Sequence, residues 1–300
     1  MNLNQLQHFL LVAEEGSITR GAERAVVSQP AVSRAVAELE ASLGVRLLDR
    51  GPHGCTPTDA GQVLLHYARR IFALEREASE ALLELQGLEA GSIAIGASTT
   101  IGDYVLPSAI VAFLTAHPKI QISMEVANTK SVHQGVLEGT YDIGFTEGDV
   151  DTSIFEVKLL AEDELVIFAS PRHSLAKVGF ASLDQLSECE FVMRERGSGS
   201  RHVIESRFLE VGFLPTEVCS LGSTTAIKLA VRGGLGLGVV SRTAIVNELA
   251  RGELVTIDTS LKLVRQLHTV RLGWRRESSA SKQFVQDLRD QISAFKKLSN

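Results

Sequence analysis

The sequence predicts an α/β chain in three parts: a winged helix-turn-helix over residues 1–58, one long helix over residues 59–89 and a larger α/β region over residues 90–300. Three observations predict it. Two capped helical segments precede a glycine-bounded hairpin within the first sixty residues, and a proline-free stretch from Asp59 carries a three-four apolar repeat. From Gly91 onward, short apolar runs alternate with helical stretches.

The first helix lies in "LQHFLLVAEEG", where Leu6, Phe9, Leu10 and Ala13 form one apolar face that ends at Gly16. Ser17 stands at the N-cap of a second helix from Ile18 to about Ala25, its oxygen available to the free N–H groups of the first turn. Val26 and Val27 close a tight turn. Ser28 is a second N-cap candidate, and Pro30 falls in the next first turn, where its missing N–H leaves nothing unpaired. In "VSQPAVSRAVAELEASLGVRLLDR", Val32, Val36, Leu39 and Leu43 make the buried stripe of the third helix, and Gln29, Ser33 and Arg34 share its opposite side. After Gly44, "VRLLDRGPHGCTPT" reads as strand, turn and strand, with Arg50 at the base of the tip and His53 within it.

Two short helices joined this way are a helix-turn-helix, and the hairpin is a wing. The second helix of that motif enters the major groove, where Gln can pair with adenine, Arg with guanine, and Ser with bases or phosphate. Charge does not announce such a role. The chain carries a net charge of −6, and its first sixty residues hold five basic against seven acidic side chains. The case for double-stranded DNA as partner is therefore geometric.

The run from Leu3 to Arg50, with "TPTDAG" after it, resembles the amino-terminal domain of LysR-type transcriptional regulators over essentially all of residues 1–61. Ser17, Ala22, Ser28, Gln29, Pro30, Ser33, Leu39, Glu40, Leu43, Gly44, Leu47, Arg50, Thr58 and Gly61 carry the match. The resemblance implies that Gln29, Pro30, Ser33 and Arg34 approach bases and backbone and that Arg50 reaches DNA from the wing. Ser28 and His53 complete the expected DNA-binding set. Gly21 departs from the alanine more usual in the family, at an expected cost under about 1 kcal/mol.

From Asp59, residues Leu64, Tyr67, Ile71, Leu74, Ala78, Ala81, Leu85 and Leu88 are spaced three and four apart, a heptad seam with charged residues between. So narrow a stripe suits a partner helix. LysR-type regulators dimerise through such a linker, and the resemblance implies a homodimer, a homotetramer on DNA, and an interrupted palindromic operator. RNA polymerase is admitted as a further partner.

Strands are expected at "SIAIGAS", "IQISMEVAN", "YDIGFTEG", "ELVIFAS", "FVMRE", "TEVCSLGS", "LGLGVVS", "ELVTI" and "HTVRLGW", with helices after most of them and a parallel sheet. The arrangement resembles the LysR effector domain, which is two-lobed and shaped like a periplasmic binding protein. That places lobe I at residues 91–162 and 268–300 and lobe II at residues 163–267, with the first crossing at "AEDELVIFASPRHSLA" and the return near His268. In such sheets ligands bind beyond the strand ends, at helix N-termini. Ser98, Thr99, Thr100, Asn128, Thr129, Ser198, Ser200, Arg201, Ser223 and Thr224 occupy those positions. Small hydroxyls there are mostly ordinary caps, but four clusters around one cleft, one with an arginine, point to a small anionic effector. "ASTTIGDYVLP", "ANTKSV" and "RERGSGSR" further resemble a LysR subgroup that includes sulfur-assimilation and carbon-fixation regulators.

The remaining motifs exclude other chemistry. Cys55, Cys189 and Cys219 form no CxxC pair, the eight histidines show no HExxH spacing, and neither GxSxG nor a Walker sequence occurs. "RGGLGLG" reads as a helix C-cap leading into a strand. No catalytic site, metal or cofactor is expected. "MNLNQLQHFL" lacks the features of an export signal, and Arg232 and Arg242 interrupt the most apolar later stretch, so a cytoplasmic protein with no membrane partner is expected. The alternative is a small-molecule binding protein or enzyme on the same two-lobed fold without DNA-dependent function. It leaves the helix-turn-helix unexplained.

Overall fold

The computed structural model describes residues 1–51, 54–85, 91–178 and 180–299. His53 and Leu88, and with them residues 86–90 of the expected linker and of the larger region's start, lie outside the described residues, as does the side chain of Leu85. The chain divides into two compact units, Met1–Leu85 with the short segment Glu138–Thr140, and Gln86–Leu137 with Tyr141–Asn300.

In the first unit, α1 (Leu3–Glu15) opens with a capping box: the Asn2 side chain accepts from the Gln5 amide at 2.9 Å, and Gln5 reaches back to the Asn2 amide. It ends at Gly16 in the left-handed conformation. Helix α2 (Ile18–Ala25) is capped by Ser17, whose Oγ accepts from the Arg20 amide. A Cβ on Gly21 would stand 3.0 Å from the Val12 backbone, so α1 and α2 approach too closely for alanine. The departure at Gly21 therefore serves packing. The turn runs through Val26 at φ 57°, a left-handed valine exposed to solvent.

Helix α3 (Gln29–Leu43) follows, with Val32, Val36 and Leu39 buried against Leu6, Phe9 and Leu10. Two expectations are corrected here. Ser28 occupies the N-cap position but makes no side-chain cap bond, and Leu43 stays exposed because Gly44 ends the helix one residue later. Strands β1 (Leu48–Gly51) and β2 (Gly54–Pro57) pair antiparallel as the wing. The Glu40 carboxylate accepts from the Leu47 and Leu48 amides at 2.8 and 3.2 Å and fixes the wing to α3. Helix α4 (Asp59–Leu85) buries Leu65 and Ala68 in the same core. Tyr67, Ile71, Leu74 and Ala78 of the heptad seam remain exposed in the single chain.

The second unit begins with β3 (Gly91–Ser98), α5 (Thr99–Tyr104), α6 (Leu106–Ala116), β4 (Ile120–Ala127), α7 (Thr129–Glu138) and β5 (Ile143–Glu147). The long β6 (Glu156–Ala169) leads to β7 (Phe180–Ala181), α8 (Leu183–Ser187), β8 (Glu190–Arg194), α9 (Gly199–Glu210), β9 (Thr216–Leu221) and α10 (Thr224–Arg232). Next come β10 (Leu237–Ser241), α11 (Val246–Ala250), β11 (Val255–Thr256), β12 (Asp258–Thr259), β13 (Val264–Arg271) and α12 (Ser279–Ser299). The main sheet has the order β4-β3-β5-β13-β6-β10-β8-β9, with β11 beside β6.

That sheet is mixed, not parallel. The β4-β3-β5 and β10-β8-β9 sets are parallel, but β13 runs antiparallel to both β5 and β6, and β6 antiparallel to β10. The reason is the crossing: β6 carries the chain out of the first half and β13 brings it back alongside. Side chains of β6 leave the first core after Leu160 and enter the second at Leu165. On β13 the change falls between Leu263 and Leu267, so the return strand begins at Val264, earlier than the position near His268 expected from sequence. Phe113, Phe145 and Phe284 centre the first half, and Phe191, Phe208 and Phe213 the second.

Candidate functional site

Two places gather the expected residues. On the first unit, Ser28, Gln29, Pro30 and Arg34 are exposed along the start of α3, and no acidic side chain engages Arg34 among the described residues. Ser33 is half-buried and accepts from Arg50 Nη1 at 3.4 Å, while Arg50 Nη2 lies 3.9 Å from Glu40. The wing arginine thus stands against the polar face of α3. Nearby acidic charge is partly held elsewhere, since Glu14 and Glu15 both pair with Arg24. An exposed face offering Gln, Arg and hydroxyl groups beside a wing has the donor and acceptor pattern that base edges and phosphates require.

The second place lies between the halves of the larger unit, where helix starts face one another. A cleft of about 550 Å³ is lined by Thr129, Lys130 and His133 of α7, by Glu147, Gly148 and Asp149 at and after the end of β5, and by Arg196, Gly197, Ser198, Gly199, Arg201 and His202 where α9 opens. Ser198 caps α9, its Oγ accepting from the Arg201 amide. Gly199 has no room for a Cβ, which would stand 2.5 Å from Thr129 Oγ1 and 2.6 Å from the Glu147 carbonyl oxygen. The two halves meet there backbone to backbone. Thr129 Oγ1 is buried without a hydrogen-bond partner.

Beneath this floor is a buried charged cluster. Arg265 of β13, whose side chain is fully enclosed, donates from Nε to Asp163 at 2.7 Å and from Nη1 to Ser200 Oγ at 2.6 Å. Its Nη1 also lies 3.1 Å from Glu147, which accepts from Ser200 Oγ at 3.1 Å and closely from Ser98 Oγ. Ser241 completes the set by donating to Asp163 at 2.6 Å. On the other flank, Arg194 is buried and donates to Thr99 Oγ1 at 3.2 Å and Thr224 Oγ1 at 3.4 Å, while pairing with Glu195. Burial pushes the Asp103 carboxyl up on this flank, against the pull of Arg194 and Lys228. Lys228 lies over the Tyr104 ring at 5.2 Å.

The ten sequence candidates therefore separate by role. Ser98 and Ser200 meet at Glu147, Thr99 and Thr224 meet at Arg194, and Thr129 and Ser198 line the cleft. Thr100 is buried beside them at the start of α5. Asn128 Oδ1 accepts from the Ser131 amide, and Ser223 Oγ from the Ala226 amide, so both act as helix caps. Arg201 stands apart from the other nine. It lines the cleft, yet its guanidinium is spent on Glu205, Glu217, Ser220 and the Arg194 carbonyl, and the Glu217 hydrogen bond is first among the contacts that raise its pKa. A committed guanidinium is a poor receptor for an added anion. Sequence reading missed Glu147, Asp163, Arg194 and Arg265. The one available signal was position, since Arg194 ends a strand whose following residues were singled out, and Glu147 likewise ends a strand.

Among the described residues, no group of His, Cys, Asp and Glu could hold a metal, and no helix is long and apolar enough to cross a membrane.

Comparison with known proteins identifies the family of both parts of the chain. Residues 3–62 match the bacterial regulatory helix-turn-helix protein family of lysR type, and residues 86–293 match the LysR substrate binding domain. The RuBisCO operon transcriptional regulator of Allochromatium vinosum is 37% identical over 261 residues, covering 86% of this chain and 85% of that protein. The CcmR regulatory domain of Synechocystis PCC6803, solved in complex with 2-PG, superposes with a TM-score of 0.62 at 26% identity, over 67% of this chain and 96% of that one. Full-length CbnR, solved with its target DNA, superposes with a TM-score of 0.70 at 24% identity, over 97% of this chain and 99% of that one, and shows likeness of fold. With an exposed helix-turn-helix face, an open cleft at helix starts and both family domains matched in order, the chain belongs to the LysR family of transcriptional regulators, with a helix-turn-helix domain followed by an effector-binding domain.

Proposed function

We propose that this regulator reads an interrupted palindromic operator as a homodimer or homotetramer and responds to a small anionic metabolite held between the two lobes of its effector domain. Gln29, Ser33 and Arg34 address base edges, while Ser28, Pro30 and Arg50, with His53 at the wing tip, position the unit on the backbone. Residues 1–58 form the DNA-binding domain, 59–89 the dimerising linker and 90–300 the effector domain, and the protein works in the cytoplasm.

The observation that carries the effector reading is the cleft itself. It is lined from both halves, the α9 N-terminus opens into it, Lys130 and Arg196 border it, and Thr129 Oγ1 lies buried at its wall without a partner. The CcmR regulatory domain solved in complex with 2-PG supports a small ligand for this domain type. Three carboxylates, Glu147, Asp149 and Glu205, also line the cleft and would select strongly among anions.

The test is a thermal-shift screen of small carboxylates, phosphates and sulfur oxyanions on the full-length protein, followed by calorimetry on Thr129→Val. A ligand of the folded state raises the melting temperature. Loss of the hydroxyl should weaken its binding by about 1 kcal/mol. A screen with no stabilising anion, or full affinity in Thr129→Val, would remove this reading. A gel-shift with DNA upstream of the protein's own gene tests the other half: no sequence-specific binding there or at related promoters counts against operator recognition.

A further inference from the structure

The hydroxyls that best fit a bound anion are already occupied. Ser98 from the end of β3 and Ser200 from the first turn of α9 both donate to one carboxylate, and that carboxylate belongs to Glu147. Arg265 Nη1 lies 3.1 Å from the same Glu147 oxygen that Ser200 reaches. Donors from the first half, the second half and the returning strand thus converge on a side chain only 2% exposed. Its two oxygens are divided between them, as those of a bidentate carboxylate ligand would be.

We propose that Glu147 is an internal stand-in for the effector, and that a small carboxylate-bearing metabolite binds by displacing it from this cradle. The inference rests on the cleft being the effector site. Three observations support exchange over a permanent structural pair. First, Glu147 is among the residues that line the cleft of about 550 Å³, and Gly148 follows it in the left-handed conformation at φ 84°, a backbone position open to rearrangement. Second, the cradle is imperfectly filled: Arg265 Nη2 and Thr129 Oγ1 are both buried without partners, which a ligand with a further oxygen can remedy. Third, the charge balance selects the class. Arg265 faces two carboxylates, Glu147 and Asp163, so replacing one carboxylate by another preserves the count, whereas a neutral or cationic ligand leaves the buried guanidinium with one counter-charge fewer.

The exchange also has a mechanical result. Glu147 is on β5 and Ser200 on α9, so the internal carboxylate ties the two halves directly. With an effector in its place, that tie between β5 and α9 runs through the ligand.

Acetate is the probe, because it supplies the carboxylate alone. Full-length Glu147→Ala is titrated with sodium acetate against sodium chloride of equal ionic strength, with thermal unfolding followed by the fluorescence of Trp274, the single tryptophan of the chain. Saturable stabilisation of E147A, absent from the unsubstituted protein and abolished by adding Ser98→Ala and Ser200→Ala, is the expected result. No saturable stabilisation overturns the proposal. Should E147A fail to fold, Glu147→Gln replaces it with volume and shape retained. Calorimetric binding of acetate about tenfold tighter than in the unsubstituted protein is then expected, since a neutral amide competes less well for the cradle. Equal or weaker binding overturns the proposal. Acetate rescue requires no effector, so it can fail while the metabolite screen succeeds, which would place the effector beside Glu147 instead of in its position.

Discussion

Replacing Arg265 by methionine should destabilise the effector domain by about 3 kcal/mol, a figure that follows from what the guanidinium touches. Its side chain is fully enclosed and holds Asp163 at 2.7 Å, Ser200 at 2.6 Å and Glu147 at 3.1 Å. Methionine fills much of the volume but leaves two buried carboxylates facing each other's field with their cation gone. Breaking one buried pair costs about 3–5 kcal/mol, and here one side chain serves two partners. Against that stands the relief of burying a guanidinium whose Nη2 finds no acceptor, worth about 1–3 kcal/mol. The assay is urea unfolding of the full-length protein read by Trp274 fluorescence, comparing midpoints at equal slope. Combining Glu147→Gln and Asp163→Asn with Arg265→Met removes all three charges and should recover most of the loss, to within about 1 kcal/mol of the starting protein. A single variant less than about 1 kcal/mol below the parent, or a triple variant no better than the single, would refute the claim that the cluster is held by charge balance.

Three further outcomes are expected. Leu74→Glu on the exposed seam of α4 should leave the first unit folded but remove about 1.5–3 kcal/mol of apolar burial per chain from the helix pair, so light scattering should show monomers; an unchanged mass would place the dimer contact elsewhere. Arg34→Ala should weaken binding to a specific operator by about 1–3 kcal/mol and relax preference at one position, whereas a uniform loss across sequences would assign Arg34 to phosphate. His133, His173 and His268 are each held below the usual imidazole range by burial, although Glu147 beside His133 and Asp149 near His268 pull the other way. The unfolded chain therefore takes up protons first, and stability present above about pH 6.5 should be lost as pH falls. His133→Gln with His268→Gln should flatten that fall in melting temperature, and an equally steep fall in the double variant would locate the proton uptake elsewhere.

What sequence could show followed the range of the interaction. Caps, turns and the three-four seam are written within a few residues of one another, and α1, α2, α3, the wing and α4 appear at the expected places. Ser17 caps α2 because capping is a local bond. Strand pairing is not local: β13 meets β6 across about a hundred residues, and no periodicity in either segment announces an antiparallel partner. The same distance hid the charged cluster. Glu147, Asp163, Ser200 and Arg265 are separated by up to 118 positions and meet only because the end of β5, the middle of β6 and the starts of α9 and β13 come together. Each, taken singly, is an ordinary polar residue on a strand or at a helix start. Arg201 shows the converse: its neighbourhood "RERGSGSR" reads as an anion receptor, while the groups that engage its guanidinium, Glu217 and Ser220, come from β9.

A cradle filled by the protein's own carboxylate changes what effector affinity measures. A ligand entering an empty site gains every contact it makes, but one that replaces Glu147 gains the difference between its contacts and those lost, together with the rehydration of a released carboxylate. That difference is small for any monocarboxylate that only reproduces the Ser98, Ser200 and Arg265 contacts. Discrimination must then come from the groups Glu147 leaves unused, above all Thr129 Oγ1 and the Lys130 and Arg196 side chains at the rim. Regulation has the same requirement, since a ligand that binds two arrangements equally shifts neither. Glu147 satisfies it structurally. With the internal carboxylate in place the halves are joined through Ser200, and with the effector in place that bond is to the ligand. The two arrangements therefore differ in one of the contacts that fasten the lobes, which is the differential interaction an effector needs in order to shift a population.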